Sequence, residues 1–375
     1  MTDPTATTSA APTVLAERRR HVGVLTLNRP SALNALSLEM IRALTAQLRA
    51  WRDDPEVGAV VLRGANRPGK PPAFCAGGDI RFFHQAARTA DPALGDFFTE
   101  EYTLNHLIHT YGKPTFVVMD GITMGGGMGL AQGASLRIAT EHAKLAMPET
   151  LIGLFPDVGG GWFLARLPGR LGEFLGLTGL TLGAGDALAV GWADLCVSAD
   201  RVDALLQALV DATPADGVGA LTAVHAFAAD AGAGTLAPHQ ALIERVFSQP
   251  TLAAIVAALQ AEEQGDDAEF ARATAALLAK RSPTMLAVTL EQVRRARTMS
   301  LADELRMERD LVHHCFHLRP PERSETLEGI RALAVDKDHA PRWQPASIAD
   351  VDAAEIAAFF ESPWTPQAHP LHALA

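Results

Sequence analysis

The sequence predicts an α/β protein, and three observations carry that expectation. Val22 to Leu27 is a short apolar run with the length of a strand. Leu38, Ile41, Leu44, Leu48 and Trp51 then recur at three- and four-residue intervals, which lines one face of a helix. VGAVVLRG, residues 57–64, is apolar without alternation, as in a strand buried on both faces. Strand, helix and strand in that order make a layer of helices on a sheet.

Taken in order, residues 1–13 (MTDPTATTSAAPT) are small, polar and proline-containing, and we expect a disordered tail there. They carry neither the basic-then-apolar pattern of a secretion signal nor the arginines of a transit peptide. NRPSALNAL, 28–36, reads as a loop interrupted by Pro30, after which Ser37 caps the first helix. FCAGGDI, 74–80, frees the backbone at Gly77 and Gly78 just before a helix that Asp79 would cap. An ordinary strand-to-helix turn fits the same residues.

DGITMGGGMGLA, 120–131, sets glycines at 125, 126, 127 and 129. With a helix over Leu130–Ser135, the N–H groups near Gly126 and Gly127 would lie at its positive end, where a developing oxyanion is stabilised. A doubly wound nucleotide-binding fold also places glycines after a strand, with Glu141 as its acid, but the G-x-G-x-x-G spacing is not met. MPETLIGLFPDVGGG then interleaves Glu149 and Asp157 with apolar side chains. Carboxyls held together in such surroundings titrate apart, which suits acid–base or nucleophilic work; turn carboxylates on the surface are the plain alternative.

Beyond the site, the alanine-rich stretch from Asp200 to Gly234 marks a passage to a helical part, in which IERVFSQPTLAAIVAALQ and EFARATAALLAKRSP read as short amphipathic helices. The expected division is a tail at 1–13, a core with the site at 14–205, a helical region at 206–345 and a second tail at 346–375.

Composition removes several function classes. The 375 residues are 48% hydrophobic yet contain no run long enough to cross a bilayer, so a membrane role is not expected. A net charge of -11 opposes a general nucleic-acid surface. Cys75, Cys196 and Cys315 are odd in number and widely spaced, which fits reduced thiols in a cytoplasm. His313 and His317 would share a helix face beside His314 and Cys315, but a third spaced ligand is missing and no metal site is expected.

NRPSALNAL, FCAGGDI, and DGITMGGGMGLA followed by AMPETLIGLFPDVGGG together resemble the crotonase, or enoyl-CoA hydratase/isomerase, superfamily, most closely its 3-hydroxyisobutyryl-CoA hydrolase branch. The likeness runs from Val22 to about Trp343. It implies a spiral of ββα units with a helical C-terminal region, and an oxyanion hole made by the N–H groups of Gly78 and Gly126. Two departures bear on the reaction. Hydratases of this family carry a glutamate where this chain has Gly129, and they lack the acid found here at Asp157. Glu149 with Asp157 matches the hydrolase branch, and Glu101, ahead of the KP turn, stands where that branch contacts substrate.

The resemblance therefore implies hydrolysis of a short-chain 3-hydroxyacyl-CoA, with 3-hydroxyisobutyryl-CoA leading and valine breakdown as the setting. Glu149 would act as nucleophile or general base and Asp157 would orient hydroxyl or water. No metal or other cofactor is implied, coenzyme A being part of the substrate, and a homo-oligomer is expected. An enoyl-CoA hydratase or isomerase, and a non-catalytic acyl-CoA-binding protein, are the alternatives.

Overall fold

The computed structural model describes residues 11–262 and 264–375. Most of the N-terminal stretch read as a tail, residues 1–10, lies outside them. Residues 11–13 are tied to the core: Asn28 donates from its side chain to Pro12 O (2.8 Å) and from its backbone to Thr13 O (2.8 Å).

Among the described residues, nine strands form two sheets. β1 (Val14–Arg19), which the apolar pattern does not reveal, is an edge strand whose side chains are largely exposed and charged. It pairs antiparallel with β2 (Val22–Leu27). Parallel strands continue the sheet through β3 (Ala59–Gly64), β5 (Thr115–Met119), β7 (Leu136–Ala139) and β9 (Leu195–Cys196), in the order β1-β2-β3-β5-β7-β9. The smaller parallel sheet is β4 (Ala73–Cys75), β6 (Ile122–Met124) and β8 (Lys144–Ala146).

The first helix, α1 (Leu38–Asp53), buries the predicted stripe, with Ser37 accepting from Met40 N–H as its cap. After it a ββα unit repeats three times. β3 and β4 lead to α2 (Ile80–Thr89) and α3 (Ala93–His109); β5 and β6 lead to α4 (Gly126–Gln132); β7 and β8 lead to a 3-10 turn at Glu149–Ile152 and then α5 (Gly160–Leu164). α4 differs from expectation: it starts inside the glycine run and has ended by Gln132.

Alternation along the large sheet divides its side chains. Leu25, Leu27, Val60, Leu62, Val117 and Met119 enter the main core with α1 and α3. Val22, Val24, Val61, Phe116, Val118 and Ile138 face the other way. Their cover is α8 (Val202–Ala212), through Leu205, Leu206 and Leu209, after α6 (Leu171–Thr178) and α7 (Ala184–Val190) have led the chain to β9. The stretch read as a passage therefore begins with the helix that closes the second face of the sheet.

The remaining helices are α9 (Gln240–Phe247), α10 (Leu252–Ala261), α11 (Ala268–Leu278), α12 (Pro283–Ala296), α13 (Leu301–His317), α14 (Glu325–Ile330) and α15 (Ala353–Phe359). α12 lies against α5 and α6, and α13 against α3, so the C-terminal helices are built onto the site layer. Residues 346–375, expected as a tail, contribute α15 to α12 and α13 and bury Phe359 and Leu371. Among the described residues, no helix is long and apolar enough to cross a membrane.

Candidate active site

Three strands of the small sheet end at one place. Gly77 and Gly78 follow β4, Gly125 and Gly126 follow β6, and Pro148 and Glu149 follow β8. Because the strands are parallel neighbours, their carboxyl ends converge, which is where open α/β layers bind ligands. A cavity of about 410 Å³ opens there, lined by Gly78, Glu101, Gly126, Glu149 and Asp157 among others. All five residues singled out from sequence thus share one cavity.

The NRPSALNAL loop positions the first glycine. Asn34, in the left-handed region at φ 55°, accepts from Arg29 N–H (3.0 Å) and donates to the carbonyls of Ala65 (3.0 Å) and Ala73 (2.8 Å). Arg29 pairs with Asp79 at 3.1 Å while that carboxylate caps α2. Leu36 bridges Gly78, donating to Gly77 O (2.8 Å) and accepting from Asp79 N–H (3.0 Å). This pattern turns the N–H of Gly78 away from Leu36. Among the described residues, neither that N–H nor that of Gly126 has a protein acceptor.

The glycine run is required by close approach. A Cβ at Gly126 would stand 2.5 Å from Oε1 of Glu101, and one at Gly125, already at φ 48°, would stand 2.8 Å from Oε1 of Glu149. Both carboxylates therefore reach the bare backbone beside the free N–H groups.

Glu101, Glu149 and Asp157 are 2%, 5% and 5% exposed, so surface turn or helix carboxylates they are not. Oε1 of Glu101 and Oε2 of Glu149 are buried without a hydrogen-bond partner. Burial, then the charges of Asp157 and Glu149, hold Glu101 well above the ordinary carboxylate range. Burial followed by Asp157 does the same to Glu149. Asp157 is pushed up to about 7 by burial, opposed by the 2.9 Å hydrogen bond it accepts from the Tyr102 hydroxyl. Three adjacent carboxyls that resist joint ionisation can keep a base and an acid side by side at neutral pH.

Sequence reasoning passed over Tyr102 and Asn105. Both lie on α3 with Glu101, and both amide atoms of Asn105 are buried without a partner. The available signal was polar residues at 101 and 105, four apart, on a helix whose Phe97, Leu104 and Ile108 are apolar and buried. Asn105 also explains the glycine at 129. A Cβ there would meet Val158 Cβ at 2.5 Å and Asn105 Nδ2 at 2.8 Å, so the place where hydratases carry a glutamate is filled. His313 and His317 lie elsewhere, with ring centroids 4.4 Å apart, while Cys315 turns into the core. No group of three or more His, Cys, Asp or Glu suited to a metal ion occurs among the described residues. Glu141 accepts from Ala199 N–H (2.9 Å) at the surface, and the glycine run serves the acid cavity.

Comparison with known proteins gives the same outline. The chain is 41% identical over 354 residues to the 3-hydroxyisobutyryl-CoA hydrolase, mitochondrial, of Rattus norvegicus, covering 93% of this chain and 89% of that one. The human protein of that name is 38% identical over 360 residues, covering 95% and 90%. Among solved structures, a carnitinyl-CoA dehydratase from Mycobacterium thermoresistibile superposes with a TM-score of 0.84 at 38% identity, covering 94% of this chain and 97% of its own. An enoyl-CoA hydratase from Rhodobacter sphaeroides 2.4.1 gives 0.83 at 38% identity, covering 94% and 98%. The model of the enoyl-CoA hydratase/isomerase family matches residues 22–360. With the three ββα units, the convergent strand ends and the matched length all in agreement, the chain belongs to the enoyl-CoA hydratase/isomerase family.

Proposed function

We propose that the protein hydrolyses a short-chain 3-hydroxyacyl-CoA thioester, with 3-hydroxyisobutyryl-CoA as the leading substrate, to the free hydroxy acid and CoA. One observation carries this reading over hydration: Gly129 is closed off by Val158 and Asn105, while Asp157 stands in the cavity with Glu149. One of the two acids that would deliver water across an alkene is absent at Gly129. The names of the curated relatives agree with hydrolysis.

In the proposed reaction the N–H groups of Gly78 and Gly126 hold the thioester oxygen as it becomes negative. Glu149 then takes one of two routes. As a nucleophile its oxygen bonds to the carbonyl carbon, the C–S bond breaks, the thiolate takes a proton, and water opens the resulting anhydride. As a general base it removes a proton from water, whose oxygen bonds to the carbonyl carbon directly while the C–S bond breaks and the thiolate takes a proton. Asp157 supplies or orients the proton, and Glu101 receives the acyl hydroxyl. Neither route uses a metal or a resident cofactor.

The two solved structures named above carry hydratase and dehydratase titles at 38% identity, which keeps an enoyl-CoA hydratase as the second reading. Free-thiol release from 3-hydroxyisobutyryl-CoA, 3-hydroxypropionyl-CoA and crotonyl-CoA separates them. Rapid release from a hydroxyacyl-CoA, abolished in Glu149→Gln and strongly reduced in Asp157→Gly, is the expected result. Loss of the crotonyl double bond without thiol release would replace hydrolase by hydratase, and binding without turnover would leave an acyl-CoA-binding protein. A cytoplasmic setting and a homo-oligomer belong to the same reading. The first is supported by three free, buried cysteines, and the second is checked by light scattering.

A further inference from the structure

Behind the cavity lies a second group of buried acids that the reaction does not use. Glu304 and Glu308, four residues apart on α13, are both fully buried. Glu308 accepts from the N–H of Gly159 (2.8 Å) and of Gly161 (3.3 Å), and from the side chain of Gln292 on α12 (3.2 Å). Gln292 also donates to Pro156 O at 2.8 Å and to Glu304 at 3.3 Å. Arg166, the cation in their surroundings, directs its N–H groups to the carbonyls of Trp162, Ala296 and Met299.

The segment so gripped is the turn that carries Asp157. It holds Val158 at φ 60° and Gly159 at φ 84°. A β-branched residue in the left-handed region is strained, and such strain persists only where the surroundings fix it. The fixing contacts fall on both sides of Asp157: Pro156 O before it, and the N–H groups of residues 159 and 161 after it.

We propose that Glu308, assisted by Gln292, is a positioning residue that holds the strained turn so that Asp157 stays in the cavity against Tyr102. Burial raises both carboxyls, Glu304 to about 7 and Glu308 well above the ordinary range, where the neighbouring Glu304 also holds it. Three N–H donors meet the Glu308 carboxyl, whereas Oε2 of Glu304 has no partner. A carboxyl in that place takes the two backbone donors on separate oxygens, Gly159 N–H on Oε2 and Gly161 N–H on Oε1, whereas an amide offers one acceptor oxygen. The inference rests on the hydrolase reading for its kinetic test only.

In that test Glu308→Gln lowers kcat for thiol release by about 10- to 100-fold, in line with a displacement of the order of 1 Å, and leaves KM within about twofold. In an Asp157→Asn background the same change has little further effect on kcat, because it acts through that residue. Equal losses in both backgrounds, or a loss confined to KM, overturn the proposal. Gln292→Met serves if Glu308→Gln does not fold, with the same expectations. Crystal structures of the variants give a measure independent of turnover. The 2.9 Å contact between Tyr102 and Asp157 lengthens beyond hydrogen-bond range if Glu308 positions the turn, and its persistence refutes the role. A wild-type chain that releases no thiol removes the hydrolase reading and leaves this structural comparison to decide.

Discussion

Two clusters of buried carboxyls among the described residues are alike in burial and opposite in surroundings. Glu101, Glu149 and Asp157 face an open cavity, and oxygens of Glu101 and Glu149 have no protein partner. Glu304 and Glu308 face packed backbone and meet N–H donors at 2.8–3.3 Å. Burying a carboxyl is unfavourable in both places. In the second, hydrogen bonds to a strained turn offset it; in the first, Tyr102 donates to Asp157, but Oε1 of Glu101 and Oε2 of Glu149 meet no protein partner. The difference separates groups that hold a structure from groups left ready for a ligand.

The largest effect that sharpens this contrast is on turnover. Glu149→Gln is expected to lower the rate of thiol release by about 10²–10⁴-fold or more, the range for a removed general base, with folding unimpaired. A variant that unfolds instead would place Glu149 with the structural acids. Next comes the wall beside the cavity. Gly129→Ala sets a methyl 2.5 Å from Val158 Cβ, itself on the strained turn, and should destabilise by about 1–3 kcal/mol in denaturant unfolding.

Stability should also depend on pH, and the sign is fixed. Asp157 rises from an ordinary 3.8 to about 7 on folding. Its folded-state pKa exceeds the unfolded one, so its contribution is fully present below about pH 4 and is lost as pH rises through 7. Between pH 5 and 8 the wild type should therefore lose more thermal stability than Asp157→Asn, by up to about 1.4 kcal/mol per pH unit. Glu304→Gln should narrow the same loss, since burial raises that carboxyl too. The two variants part company in kinetics. Asp157→Asn removes a like charge that raises Glu149, so the acid limb of its residual activity should move to lower pH. The smallest effect is at the exposed pair Arg42–Glu100, 2.6 Å apart on α1 and α3, where removing Glu100 should change stability by less than about 1 kcal/mol.

Much of the site was legible in the sequence because it depends on local chemistry. Gly77-Gly78, the run at 125–129 and the acids of PETLIGLFPD are contiguous signals, and each follows a short strand. Glu101 was legible only by its place in a motif; its burial depends on what α3 packs against. β1 was hidden because an exposed edge strand has no apolar stripe. The start of α4 was misread because glycine disfavours helix, and here close packing against Cys75, Glu101 and Leu36 overrides that preference.

By itself the sequence determined the opening strand, helix and strand of the α/β layer, the free backbone at Gly77-Gly78 and at 125–129, and which acids exist, since these follow from residue type and short-range spacing. The ββα order came with the family resemblance. Tertiary structure alone decided that Val158 and Asn105 close the space at Gly129, that Tyr102 bonds Asp157, and that α13 reaches back to hold the turn. Glu308 lies 149 residues from Gly159 along the chain, and no periodicity encodes such a pairing. It arises when α12 and α13 bury their apolar faces on the site layer and carry Gln292, Glu304 and Glu308 in with them.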